Sequence, residues 1–324
     1  MYADLALIAV ATEAMIGYPD AVFRVIGHPV TWIGRLIAWC DKAWNSETLS
    51  DDERRWRGIY VLVLLLAVGI LSGLAITAVF EEFLHDVAAL LLCGVMGSSM
   101  LAQRSLHAHV AAVASALEAD GIEAGRRAVS MIVGRDTTSL DEAAVSRAAI
   151  ESLAENFSDG VVAPLFWMVV AGLPGAIAYK AINTADSMIG HKSPRHLAFG
   201  WASARFDDLV NLPASRLSAF WFVLAASLSP GLSVHRAIEV LFRDAGHHRS
   251  PNAGWPEAAM AGALGIQLSG PRIYDGVEVA ERWVGDGRSE LTARDIRAAL
   301  DLYRAACGLQ IAVLVLIVLV CWMF

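Results

Sequence analysis

Lysine is nearly missing from this chain: among 324 residues only Lys42, Lys180 and Lys192 carry it. With 33 acidic residues against 25 lysines and arginines, the formal net charge is −8. No basic run offsets that charge, which argues against nucleic acid as a partner. Cysteine is sparse too. Cys40, Cys93, Cys307 and Cys321 show no CxxC spacing, so neither a disulfide framework nor a zinc site is indicated. The GxxxxGK[ST] phosphate loop, a GxGxxG turn after a strand, the GxSxG elbow and HExxH are all absent. Strand signals are scarce, and there is no internal repeat. The first residues carry an early acid and no basic region, unlike a signal peptide.

What the chain has instead is apolar length. It is 56% hydrophobic, with a mean hydropathy of +0.51. Ile59–Phe80 runs 22 residues without a charge, Val87–Ala102 another 16, and Cys307–Phe324 a further 18. A membrane-spanning helix needs about 20. Tyr2–Tyr18 is a weaker candidate, interrupted by Asp4 and Glu13. Val161–Ala171 is apolar, but the GLPG at 172–175 breaks its helix. Ser218–Leu228 is short for a span. These runs predict an all-α polytopic integral membrane protein in a single domain over 1–324. It has about four to six membrane-embedded segments, some of them re-entrant. The segments lie near 2–18, 59–80, 87–102, 161–181, 209–229 and 307–324.

Arginine placement orients them. Basic residues crowd 19–58, 103–160 and 231–306, which read as helical cytoplasmic regions, whereas Glu81–Asp86 carries only acids among its charged residues. The N-terminus is then outside, and the site lies on the cytoplasmic face of the inner membrane. Between spans, Ala108–Ala119 and Leu140–Leu153 show helical periodicity, with Ser139 and Glu142 as the cap of the second.

Polar residues gather around the 161–181 segment, and burying them beside a membrane is costly. Glu151, Glu155 and Asp159 are spaced by four, so one helix face carries all three before Gly160 ends the helix. A divalent cation of the Mg²⁺ type would relieve their repulsion; a solvated acidic face explains the spacing as well. Asn183, Thr184, Asp186 and Ser187 follow the GLPG break and precede Gly190-His191-Lys192. Arg205, Asp207, Asp208 and Asn211 form a third cluster, in which Asp207 and Asn211 stack one turn apart. Either could be a helix end. The Arg135-Asp136 turn and the Ser250–Pro256 loop, which contains Asn252, read as ligand contacts or as plain turns. His107 and His109 are two apart and diverge on a helix.

The strings HPVTWIGRLI (28–37), VGRDTTSL (133–140) and AIESLAENFSDGVVAPLF (149–166) resemble the cobalamin-biosynthesis family CobD/CbiB, the adenosylcobinamide-phosphate synthases. So do GLPGAIAYKAINTADSMIGHK (172–192), FGWASARFDDLVNLPASRL (199–217) and SPNAGWPEAAMAGALGIQLSGP (250–271), in family order over nearly the whole chain. The first segment departs from the pattern: Glu13 and Gly17-Tyr18-Pro19 stand where the family tends to have an Asp before a Gly-Asp-Pro turn.

The resemblance implies ATP-dependent amide formation between adenosylcobyric acid and (R)-1-amino-2-propanol phosphate or a related amino alcohol. Mg²⁺ and ATP are then the expected cofactor and energy source. Glu155, Asp159 and Asp186 become metal ligands, and Glu151, Glu155, Asp207 and Asp208 the catalytic carboxylates. Arg135, Lys192 and Arg205 would hold phosphate or the corrinoid's carboxylate, with Asp136 a further substrate contact. Asn156, Asn183, Asn211, Ser250 and Asn252 would meet the corrinoid. Expected partners are these substrates, the lipid bilayer and other corrinoid-assembly membrane enzymes. Two rivals share the polar clusters: a Mg²⁺-dependent intramembrane transferase of a prenyl or phospho-alcohol substrate, and a transporter with broken helices.

Overall fold

The computed structural model describes residues 2–270, 272–274, 277–279 and 282–323, with backbone alone at 20, 272–274 and 277–279. Helices dominate, in the order α1 (Ala3–Ile16), α2 (Asp20–Ile26), α3 (Pro29–Trp44), α4 (Asp51–Phe83), α5 (Asp86–Ser98), α6 (Gln103–Asp120) and α7 (Ile122–Val129). They continue with α8 (Glu142–Phe157), α9 (Ala163–Ile189), α10 (Trp201–Val210), α11 (Leu212–Leu228), α12 (Val234–Asp244), α13 (Gly254–Leu264) and α14 (Ala293–Met323). The described strands form two short antiparallel pairs, Leu268–Ser269 with Trp283–Val284 and Arg272–Tyr274 with Val277–Val279.

Four helical runs are long and apolar enough to cross a membrane: Asp51–Phe83, Asp86–Asp120, Glu142–Ile189 and Ala293–Met323. Counting two bent helix pairs as one span each gives up to 6. The chain is an all-α multi-pass membrane protein. α1 alone has 14 residues, about a turn and a half short of a span; the expected segment at 2–18 reaches that length only as half of a bent pair.

Contacts divide the chain into two compact units. The first comprises Met1–Ala102, Ala163–Asn211 and Leu314–Phe324. Its long helix α4 starts at a capping box: Ser50 Oγ accepts from the Glu53 N–H at 3.3 Å, and Glu53 Oε2 from the Ser50 N–H at 2.9 Å. Val63, Leu71 and Leu74 leave an apolar face of α4 uncovered, as contact with hydrocarbon requires. The opposite face meets α9 at backbone distance. A Cβ on Gly73 would fall 2.5 Å from Pro174 Cα, and one on Gly69 2.9 Å from Ala178 Cα. Small residues let helices approach this closely in lipid, where dispersion replaces the hydrophobic effect as the adhesive. Ile37, Leu65, Ala181, Ile189 and Phe199 complete that core. Beside it, α3, α4, α5 and α9 enclose an apolar cavity of about 280 Å³.

α9 breaks where GLPG predicts. Ala171 leaves helical geometry (φ −132°, ψ 19°), and Gly172 takes φ 65°, a conformation that favours glycine. The Val169 carbonyl inside the break accepts from the Tyr2 N–H at 3.1 Å.

The second unit comprises Gln103–Val162 and Leu212–Val313. Its core centres on Phe157, buried against Phe222 (ring centroids 4.7 Å) and Tyr303 (5.4 Å). The Tyr303 hydroxyl donates to the Gln103 carbonyl at 2.8 Å. Two local expectations are corrected here. Asp141, not Ser139, caps α8, its Oδ1 accepting from the Ala144 N–H at 2.7 Å. Gly160 does not end the helix: Ser158–Val162 is a π-helical turn leading straight into α9. Asp159 lies within that turn.

Candidate functional site

In the first unit, α9 presents Tyr179, Asn183 and Asp186 at intervals of four and three, one helical face. The last turn of α10 presents Asp207 and Asp208, with Asn211 as its C-terminal cap. Asp207 and Asn211 are buried, 7% and 1% exposed. Asn211 Nδ2 donates to Asp207 Oδ2 at 2.9 Å, and Asn211 Oδ1 accepts from the Tyr179 hydroxyl at 2.9 Å. That relay sets the amide's orientation and holds one carboxylate oxygen. The other, Asp207 Oδ1, is buried and has no hydrogen-bond partner.

The charges of Asp186 and Asp208 both act on Asp207, and Asn183 faces the same carboxylate. His191 acts on Asp186, and Arg205 and Lys192 act on Asp208. The Arg205–Asp208 distance is 3.7 Å. Asp207 thus feels the charge of two further acids, and the exposed Arg205 and Lys192 act on Asp208. The Gly190 N–H bonds the Asp186 carbonyl at 2.7 Å, and a Cβ on Gly190 would lie 2.0 Å from Asp186 Oδ1. The loop past Asp186 is pinned: Arg195 pairs with Asp41 at 2.9 Å, while buried Arg54 donates to Asn45 Oδ1 at 2.8 Å and to the Arg195 carbonyl.

Of the predicted residues, the first unit therefore gathers Asn183, Asp186, Lys192, Arg205, Asp207, Asp208 and Asn211. Tyr179 was missed; its only signal is its place four residues before Asn183. Glu155, exposed, and Asp159, half-buried, belong to the second unit. Among the described residues no group of three His, Cys, Asp or Glu side chains forms a metal cage.

The second unit gathers another set. Glu151 is buried; its Oε1 accepts from the Ser269 N–H at 2.7 Å and its Oε2 faces Arg135 Nη2 at 3.5 Å. Ser269, the one described non-glycine residue with positive φ (57°), also donates to buried Glu257 at 3.3 Å. His248 lies 3.8 Å from Glu257. Glu257, His248 and Ser269 were not predicted, since only the fold brings them to Glu151. Asp136 is exposed and holds its own turn, accepting from the Thr138 N–H and hydroxyl. Asn156 donates to the Ser152 carbonyl at 2.8 Å. Ser250 Oγ accepts the N–H groups of Asn252 and Ala253. Asn252 is buried and accepts from Ser215 and Arg216.

In the first unit a buried carboxylate oxygen thus lies near further acids, with two exposed cations beside them. A family model described as CobD/CbiB protein matches residues 6–303. A cobalamin biosynthesis protein CobD from Sinorhizobium sp is 52% identical over 308 residues, covering 93% of each chain. The protein of that name from Rhodobacter capsulatus is 49% identical over 305 residues, 94% of each chain. The one from Brucella suis biovar 1 is 48% identical over 306 residues, 94% of this chain and 93% of the relative. No solved structure matches. With its motifs in order and its length covered almost end to end, the chain belongs to the CobD/CbiB family.

Proposed function

We propose that this protein is a cobalamin biosynthesis enzyme that joins the ring-D propionate of adenosylcobyric acid to (R)-1-amino-2-propanol phosphate or a related amino alcohol. The product is adenosylcobinamide phosphate, and ATP supplies the energy. A carboxylate is a poor electrophile and an ammonium no nucleophile, so both need activation. Transfer of the ATP γ-phosphoryl group to the propionate gives an acyl phosphate and ADP. The deprotonated amine then attacks the acyl carbon, forming the C–N bond and expelling phosphate.

The observation that carries this reading is Asp207 Oδ1, buried without a partner beside Asp186 and Asp208. A buried carboxylate oxygen left unpaired costs about 1–3 kcal/mol, and a hard cation satisfies it. Mg²⁺ fits, because it takes one or two protein carboxylates and completes its shell with water and phosphate. Asp186 and Asp207 would hold it, and when bound it neutralises phosphate charge. Asn211 and Tyr179 keep Asp207 aimed. Asp208, half-exposed and acted on by Arg205 and Lys192, would take the ammonium proton. Arg205 and Lys192 would steady phosphate at the rim, on the cytoplasmic side by the positive-inside bias. The family match favours neither the prenyl-type transferase nor the transporter.

The test incubates purified protein with adenosylcobyric acid, aminopropanol phosphate, ATP and Mg²⁺ and follows product mass, omitting each component in turn. Product should need all four. Product formed without ATP or without the amine would overturn the reading.

A further inference from the structure

Arg216, one turn into α11 of the second unit, carries a cation with an unusual set of neighbours. Its guanidinium lies over the Trp255 ring, 4.5 Å from the centroid. A single nitrogen, Nη1, donates to Asn252 Oδ1 at 2.9 Å, to Ser215 Oγ at 2.9 Å and to the Leu212 carbonyl at 3.3 Å. Asn252 and Ser215 are buried, 6% and 0% exposed, so that nitrogen is gripped by fixed acceptors. Every one of these acceptors is neutral. Among the described residues no carboxylate pairs with Arg216, and neither Nε nor Nη2 has a hydrogen-bond partner. Nor is either atom sealed away from solvent.

Stacking and a triple acceptor therefore fix the plane of the guanidinium while its Nε–Nη2 edge stays open. That edge is the fork that binds an oxyanion through two parallel hydrogen bonds. Fixing it in advance lowers the ordering cost when a ligand arrives. A cation at the start of an apolar helix is costly without a counter-charge, and its neutral neighbours offset that cost without supplying one. Neutral acceptors could equally be served by lysine or glutamine; a stacked, oriented fork could not.

We propose that Arg216, held by Trp255 and Asn252, is a binding site for a phosphoryl oxyanion. The inference rests on the amide-forming reading only for the identity of the ligand, which there is the phosphate of the amino alcohol or of ATP. The same chemistry is offered by a phosphomonoester lipid headgroup.

The test titrates the detergent-solubilised full chain by calorimetry with inorganic phosphate, aminopropanol phosphate, ATP and phosphatidic acid, without turnover. Arg216→Gln should weaken the phosphoryl ligand about 10- to 100-fold. Arg216→Lys, which keeps charge but loses the fork, should fall between. Loss of affinity for the soluble phosphates identifies a substrate site, and loss for phosphatidic acid alone a lipid site; either supports the proposal. Equal binding of every probe by folded Arg216→Gln, judged by its melting temperature, overturns it. Should that variant not fold, Arg216→Lys binding like wild type overturns it instead. Normal phosphate binding in a protein that makes no amide would sink the proposed reaction and leave this site standing.

Discussion

Asn211 Nδ2 lies 2.9 Å from Asp207 Oδ2, one helical turn away, and so ties down one oxygen of a carboxylate whose other oxygen is buried without a partner. The pair divides the labour between holding and binding. Asp207→Asn keeps the shape and removes the charge of a proposed metal ligand; it should cut product formation by more than the roughly 10–100-fold typical of losing an outer-shell partner. Asn211→Leu should leave the charge but free its orientation. A rise in the Mg²⁺ concentration needed for half-maximal rate, with less loss at saturation, checks that distinction.

Asp186→Asn is expected to abolish product formation while leaving membrane insertion intact. Gly190→Ala should produce a similar loss, because its methyl would enter the space of the Asp186 carboxylate. Product mass and membrane-fraction yield measure the two effects separately. Near-normal turnover in Asp186→Asn would remove Asp186 from the site.

Gly73→Ala tests the α4–α9 contact. The added carbon meets Pro174 backbone, which cannot rotate aside. Overpacking of this kind costs about 1–3 kcal/mol. A lower melting temperature in detergent, with unchanged Mg²⁺ requirement in what remains folded, is expected.

Acid should loosen the second unit through one arginine–aspartate chain. Arg243 bridges Asp244 at 2.8 Å and Asp286 at 2.9 Å, and Arg236 reaches Asp286 at 2.8 Å. Burial pushes the Asp244 carboxyl up, but hydrogen bonds from Arg243 and the Gly285 N–H outweigh it and leave it below its usual value. Hydrogen bonds from Arg243 and Arg236 lower Asp286 as well. Both carboxyls release protons more readily folded than unfolded. Their stabilisation is therefore complete above the unfolded value of about 3.9 and disappears as pH falls through the lower folded values. The melting-temperature gap between wild type and Asp244→Asn should be constant above about pH 5 and close below pH 4. A gap that instead widens in acid would contradict the pairing.

The spans were legible because hydrocarbon thickness imposes a length on any chain that crosses it. The GLPG break was legible because glycine and proline state their backbone preferences locally. The π-helical turn at Ser158–Val162 was not, since the glycine within it reads locally as a helix end. Asp141 displaced Ser139 as a cap because both residue types serve, and packing chose between them. At the site, Asp207 and Asn211 announced themselves by spacing. Tyr179 could not, because its bond to Asn211 joins different helices. Arg216 was passed over for the same reason: its ring partner and its amide partner lie in a loop and helix start far along the chain.

The bond from the Tyr2 N–H to the Val169 carbonyl has a bearing on assembly. The donor is synthesised long before its acceptor, so this bond can close only after the chain has grown past residue 169. Completion of that fold is thereby made conditional on a segment at the other end of the synthesis order.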